Sequence, residues 1–216
     1  MILDVFFPNR CLQCNRIIGG DDVVCEVCFS QILFSHFDFY AENLLKEKCR
    51  LLFPVENAFS LMLFEEESLS RKIIHQLKYG NREKIGKLLA EWVSEKLQFE
   101  KEKPDMLVTI PLHPKKMKKR GYNQLHLFTR CLSEIYDIPY DNDVLKRNFH
   151  SKAQAEKNKE QRIKSEGKFS LNKEVSGKHI LLIDDVFTTG STMSDAAWEI
   201  LKNGENTISV LVMAMD

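Results

Sequence analysis

From residue 57 onward the chain alternates short apolar runs with stretches whose apolar positions recur every three to four residues, the pattern of a mixed or parallel sheet covered by helices. Residues 58–64 read as a strand, 69–77 and 82–97 as helices with Gly80 between them, and 106–110 as the next strand. Pro111 and Pro114 stop that strand. Gly121 then opens a helical stretch over 122–136, with Leu125, Phe128, Leu132 and Ile135 on one face. Residues 144–146 and 169–171 read as short strands, separated by a polar stretch expected to be part loop and part helix. The C-terminal pattern is the clearest: after Gly177 come a buried strand over 179–183, a helix over 192–202 stopped at Asn203-Gly204, and a strand over 207–213. Such a unit is expected to cross over right-handed.

The first fifty residues differ. They carry four paired cysteines, Gly19-Gly20 and little helical periodicity, so the expected division is an appendage over 1–50 and an α/β domain over 51–216. A chain of 216 residues suits one such domain plus a small attachment. No low-complexity tract or repeat interrupts it. Thirty-one basic and thirty-one acidic residues leave no net field to draw the whole molecule onto nucleic acid or an anionic membrane, so any such role falls to local charge. The sharpest cluster is Lys115, Lys116, Lys118, Lys119 and Arg120, whereas residues 156–164 mix both signs as a solvated face does. The longest apolar runs, 180–183 and 208–215, fall well short of the roughly 18 residues that cross a bilayer, so no membrane insertion is expected. Residues 1–8 carry Asp4 and lack a basic leader, which points to a cytoplasmic protein.

The strongest chemical signal lies at 180–192, where four apolar residues lead into Asp184 and Asp185, then Thr188, Thr189, Gly190, Ser191 and Thr192. Ligands of open α/β sheets collect beyond the carboxyl ends of strands, where this acidic pair would emerge in a loop. A turn at Gly190 can aim successive N–H groups at one phosphate, with the hydroxyls as further donors and the positive end of the next helix behind them. The two carboxylates would repel a phosphate but suit sugar hydroxyls or a hydrated Mg2+. A phosphorylated ribose meets both demands. A solvated strand-to-helix turn would account for one capping hydroxyl and not for the string. Neither G-x-x-x-x-G-K-[ST] nor G-x-G-x-x-G occurs, which leaves a P-loop or dinucleotide fold unsupported.

A second segment follows the strand at 106–110. Pro111-Leu112-His113-Pro114-Lys115-Lys116 is a stiffened turn, and the cations after it, through Arg120, suit a departing pyrophosphate, which arginine can clamp and lysine can neutralise. Asn123 and Gln124 close the segment. None of the six histidines sits at triad or metal-ligand spacing, and His113 stands out only because its loop faces the expected pyrophosphate position. Near the start, Cys11, Cys14, Cys25 and Cys28 form C-x2-C-x10-C-x2-C, a spacing that brings four thiolates to one ion. Zn2+ in a closed, structural site is expected, with buried or free thiols as the alternative. Cys49 and Cys131 lack partners at that spacing and read as packing residues.

Residues 180–192 resemble the 5-phosphoribosyl-1-pyrophosphate (PRPP) signature of type I phosphoribosyltransferases: four apolar residues, an acidic pair, three variable residues, then Thr-Gly-x-Thr. With the Pro-Leu-His-Pro and Arg-Gly-Tyr-Asn-Gln segment and the paired cysteines, the chain resembles the ComF-type competence family over nearly its whole length. The resemblance implies a type I phosphoribosyltransferase-like, mostly parallel α/β sheet flanked by helices, with a small N-terminal zinc-binding appendage built on four cysteines. It implies catalytic roles for Asp184 and Asp185 on the ribose hydroxyls, directly or through Mg2+, and a 5-phosphate site over 188–192. Leu112, His113, Lys115 and Arg120 would hold pyrophosphate. Transfer of phosphoribose to a nitrogen nucleophile is the implied reaction; the alternative is an accessory protein for DNA uptake that binds single-stranded DNA or a partner protein. Thr188 stands where hypoxanthine and guanine enzymes carry an Asp, which disfavours a 6-oxopurine acceptor. The family's later Arg, Gln, Arg and Asn fall at Arg147, Gln154, Arg162 and Ser165, and Lys157 replaces a customary Leu, so this segment departs from the pattern. A variable hood, here the segment 68–80, would form the acceptor pocket.

Overall fold

A computed structural model describes residues 8–20, 22–79, 84–148 and 167–216. Along the chain its elements are α1 (Glu26–Phe29), α2 (Leu44–Arg50), β1 (Ala58–Leu63), α3 (Leu69–Tyr79), α4 (Lys84–Lys96), β2 (Met106–Thr109), α5 (Pro114–Arg120), α6 (Gln124–Tyr136), β3 (Leu145–Arg147), β4 (Phe169–Leu171), β5 (His179–Phe187), α7 (Ser191–Leu201) and β6 (Thr207–Met215). Four strands form a parallel sheet in the order β1-β6-β5-β2, and β3 and β4 form a separate antiparallel ribbon.

A parallel sheet must cover both faces, so its strands are predominantly apolar. In β5 the alternation is strict: Ile180 and Leu182 pack on one side, Leu181 and Ile183 on the other. The first side receives α2, α7 and the β3–β4 ribbon through Leu45, Phe53, Phe169, Met193, Ala196 and Ile200. The second receives α3, α4 and α6 through Ile73, Leu77, Leu89, Val93, Phe128 and Leu132. Helices α4 and α6 meet at Gly86, where a Cβ would stand 3.2 Å from the Phe128 backbone nitrogen.

The N-terminal residues join this second side. Cys11, Val23, Val24, Cys28, Ile32 and Phe39 share its core. Phe29 and Phe34 meet Trp92 of α4 edge-on, with ring centroids 5.1 and 6.0 Å away. Backbone bonds from Ser35 to Leu61 and from Leu63 to Leu33 tie the segment to the outer edge of β1. Among the described residues no helix is long and apolar enough to cross a membrane.

The structure departs from the sequence reading in four places. Residues 114–120 are a helix rather than only a stiffened turn: His113 Nδ1 accepts from the Lys115 backbone, Pro114 occupies the first turn, and Gly121 ends it left-handed at φ 79°. Strand β5 runs on through the acidic pair, because β6 keeps pairing with it as far as Phe187 and Met215; Asp184 and Asp185 therefore sit on the strand and not in a loop. Ile135 is exposed, and Tyr136 takes its place on the buried side, donating its hydroxyl to the Leu97 carbonyl at 2.6 Å. The first ribbon strand is shifted one residue, to Leu145–Arg147. The polar stretch with Gln154 and Arg162 lies outside the described residues.

Asn206 fastens the end of α7 to the start of β6. Its buried amide donates to the carbonyls of Val175 at 2.9 Å, Ile200 at 3.2 Å and Asn203 at 3.3 Å, while its oxygen accepts from the Lys178 backbone. Asn206→Ala should lower unfolding stability by about 1–3 kcal/mol in urea titrations, and Asn206→Asp should cost more by facing a carboxylate to carbonyl oxygens. Equal stability of Asp and Ala variants would contradict this account of the amide.

Candidate functional site

Strands β2 and β5 are neighbours, with Thr109 opposite Ile183. The chain leaving β2 leads to α6 on one face of the sheet, whereas the chain leaving β5 leads to α7 on the other. Adjacent connections that part in this way leave a crevice at the carboxyl ends of the strands, the usual ligand position in open α/β sheets. Here it is a cleft of about 370 Å3, comparable to small-molecule sites.

The cleft gathers most of the residues singled out in the sequence. Asp184, Asp185, Thr188 and Thr192 line it from β5 and the following turn, and Leu112, His113 and Arg120 from the segment after β2. Thr189, Gly190 and Ser191 line a smaller adjoining cradle, which shares Asp184, Thr188 and Thr192 with the cleft. Lys115 does not line the cleft; Lys116 does, since helical spacing puts His113, Lys116 and Arg120 on one side of α5. Arg147 also reaches the cleft.

The turn is shaped by Gly190, which caps α7 at φ 72°. A Cβ there would fall 2.4 Å from Leu52 Cδ1 and 2.6 Å from Phe187 Cζ, so no side chain fits without displacing both. The chain can then fold back closely enough for Ser191, Thr192 and Met193 at the start of α7 to line the cradle beside the turn.

Asp185 is held by the protein itself. Its Oδ1 pairs with Lys78 Nζ at 2.9 Å and its Oδ2 accepts from Gln124 Nε2. Gln124 in turn accepts from Arg120 Nη1 at 2.8 Å, and Arg120 donates to the Tyr79 hydroxyl at 3.3 Å with its guanidinium over that ring. Arg120 thereby lowers the pKa of the Tyr79 hydroxyl from its ordinary value. One network thus joins the basic helix, the acidic pair and the end of α3. Asp184 is different: burial first, then the Asp185 charge, push its carboxyl up to about 7, and the Asp185 backbone N–H, Lys78 and Arg147 offset this only in part. Lys78 escaped sequence reading. Its signal is a lysine continuing the row of Ser70 and Ile74, both buried, along α3.

The four N-terminal cysteines come together in two tight turns. Asn15 donates its backbone N–H to Cys11, Gln31 does so to Cys28, and Leu12 bonds to Val23, which joins the turns. All four Sγ atoms lie within 4.8 Å of one another, and those of Cys14 and Cys25 are 3.7 Å apart. Tetrahedral zinc with Zn–S bonds of about 2.3 Å needs Sγ atoms about 3.8 Å apart, so the residues present fit the metal. Burial pushes the Cys11 thiol up, but backbone N–H groups of Cys14, Cys25 and Gln13 outweigh it and hold the group at about 6. Cys28 is pushed up to about 12 by burial and by the other thiols. Four thiolates this close require a cation. Cys49 and Cys131 are buried elsewhere in the core.

Comparison with known proteins gives two family matches: the phosphoribosyl transferase domain over residues 75–214 and the double zinc ribbon domain over 2–37. Competence protein F of Haemophilus influenzae is 28% identical, with 97% of this chain and 98% of that protein aligned. The DNA utilization protein YhgH of Escherichia coli K12 is 28% identical over 93% of this chain and 87% of its own length. Competence protein ComFC of Bacillus subtilis is 30% identical over 66% of this chain and 58% of its own. The zinc-ribbon match and the clustered thiols together support a structural zinc site.

An acid whose pKa rises on folding binds more protons folded than unfolded, so Asp184 subtracts stability as pH climbs from its ordinary 3.8 through about 7. Asp184→Asn should therefore have a higher thermal midpoint than the natural protein at pH 8, with the gap closing as the pH is lowered towards 4; a lower midpoint at pH 8 would contradict the assignment. Elemental analysis should find one zinc per chain, and chelation should lower the thermal midpoint. A metal-free protein of undiminished stability would exclude the metal's structural role.

Proposed function

Because the chain belongs to the phosphoribosyl transferase domain family, in its ComF-type branch, we propose that it binds Mg2+-PRPP in the cleft and transfers the phosphoribosyl group to a nitrogen nucleophile. The single observation that carries this reading is the pairing of the acidic, hydroxyl-rich end of β5 with the basic face of α5 across one crevice. On this reading residues 1–50 are a zinc-stapled appendage and residues 51–216 the transferase-like unit.

Each part of the site has a task. The turn at 188–192 receives the 5-phosphate on its hydroxyls, its N–H groups and the positive end of α7. Asp184 and Asp185 accept from the ribose 2- and 3-hydroxyls and would hold Mg2+, a hard cation suited to a few carboxylates plus substrate oxygens. When bound, the metal supplies charge that neutralises the pyrophosphate. His113, Lys116 and Arg120 face the same region and stabilise negative charge on the leaving oxygens as the C1–O bond breaks; Leu112 shapes the turn they stand on. The nitrogen lone pair forms the new bond to C1, its proton passes to solvent, and pyrophosphate departs. Lys78 keeps the neighbouring carboxylates tolerable to one another before the ligand arrives.

A second reading is favoured by the names of the relatives, competence and DNA utilization proteins. In it the PRPP site is retained as a ligand sensor with little turnover, and the protein handles single-stranded DNA or a DNA-uptake partner. Calorimetry with Mg2+ and PRPP, followed by a pyrophosphate-release assay across bases and amines, separates the two. Both readings expect binding. Release of pyrophosphate with one acceptor selects the transferase, and binding without release for any acceptor selects the accessory protein. The double variant Asp184→Asn, Asp185→Asn should lose at least about a hundredfold in PRPP affinity; unchanged affinity would refute the site.

A further inference from the structure

The β3–β4 ribbon lies outside the signature, yet it hands two cations to the ligand region. Arg147 pairs with Phe169 in the ribbon, stacks on that ring with its guanidinium 5.1 Å from the centroid, and lines the cleft. Lys168, just before β4, does not line the adjoining cradle but bonds to a residue that does. Its Nζ donates to Ser191 Oγ at 2.9 Å and pairs with Asp195 Oδ2 at 2.6 Å. Ser191 is the first residue of α7 and belongs to the hydroxyl-rich turn, and Asp195 is one helical turn further on.

The backbone that carries Lys168 is fixed. Asn148 donates its backbone N–H to the Lys168 carbonyl and its side-chain amide to that of Gly167, each at 2.9 Å. Phe169 beside it is buried in the core. Among the described residues that line the cradle none is basic, and Asp184 is acidic. A phosphate dianion placed there would meet N–H and hydroxyl dipoles but no full positive charge from the turn itself. An ammonium already bonded to one of those hydroxyls supplies the missing charge at hydrogen-bond range.

We infer that Lys168 is a binding residue for the 5-phosphate of a ribose phosphate, poised above the first turn of α7 by Asp195 and transferring its contact from the Ser191 hydroxyl to the phosphate. This rests on the proposed function of the cleft. Lys168 acts at the phosphate end alone, so its contribution separates from that of the pyrophosphate-facing groups.

The test is calorimetry with ribose 5-phosphate and, separately, with Mg2+-pyrophosphate. Lys168→Gln should weaken ribose 5-phosphate binding about tenfold, the scale of one charge-assisted contact, and leave pyrophosphate binding unchanged. Lys168→Arg should keep the natural affinity. The double variant Lys168→Gln, Asp195→Asn should remain weak. The inference is overturned if Lys168→Gln binds ribose 5-phosphate as tightly as the natural protein, or loses both ligands equally. It is overturned too if the double variant recovers, since the loss would then come from an unmasked Asp195. Failure of the natural protein to bind ribose 5-phosphate or PRPP would remove the reading of the cleft and Lys168's role with it. Binding that is indifferent to Lys168 would remove this inference alone.

Discussion

Two neighbouring parallel strands, β2 and β5, send the chain to opposite faces of the sheet, and the candidate ligand site lies in the gap that parting creates. The register of Thr109 against Ile183 leaves β5 running on past the end of β2, which sets the acidic pair beside the chain leaving β2. Neither connection can then cover the other's strand end, because each is drawn to its own layer of apolar packing: Leu125 and Phe128 on one side, Met193 and Ala196 on the other. Polar residues that would be costly in the sheet interior become tolerable at this rim, where solvent or a ligand can satisfy them.

Charge is distributed across the gap with some tension. Two adjacent carboxylates project from the end of β5, and among the described residues Asp185 has the stronger partners, Lys78 and Gln124. Asp184 is left poorly solvated and reluctant to ionise. Such an arrangement lowers stability, and a carboxyl kept in that state tends to mark a binding site. The hydrogen-bond chain from Tyr79 through Arg120 and Gln124 to Asp185 means that the basic and acidic sides are mechanically joined before any ligand enters. The zinc-type cluster does for the described N-terminal residues what a larger core would otherwise do, and the Phe29, Phe34 and Trp92 contacts dock the result on α4.

Much of this was legible in the residues. Continuous apolar runs and period-3.6 patterns located the sheet strands and the long helices, because burial on both faces of β5 leaves no polar position between Ile180 and Asp184. The C-x2-C pairs foretold the clustering of four thiols, and the Asp-Asp to Thr-Gly-Ser-Thr string pointed to the strand end that lines the cleft. What stayed hidden depends on tertiary pairing. Helix α5 buries no residue, so periodicity had nothing to register, although Pro114 and Gly121 mark its two ends. With the helix unseen, Lys115 and Lys116 could not be ranked. The extension of β5 through the acidic pair is dictated by β6, and the approach of Lys78 by the packing of α3, neither of which local sequence expresses.

The proposed function places a phosphorylated ribose in this cleft, and an experimental structure of the protein soaked with PRPP and Mg2+ tests that placement directly. The 5-phosphate should lie within hydrogen-bond distance, about 3 Å, of the backbone N–H groups of residues 188–192, with pyrophosphate facing Arg120. Density for the ligand elsewhere on the molecule, with the rim between β2 and β5 filled only by water, would contradict it.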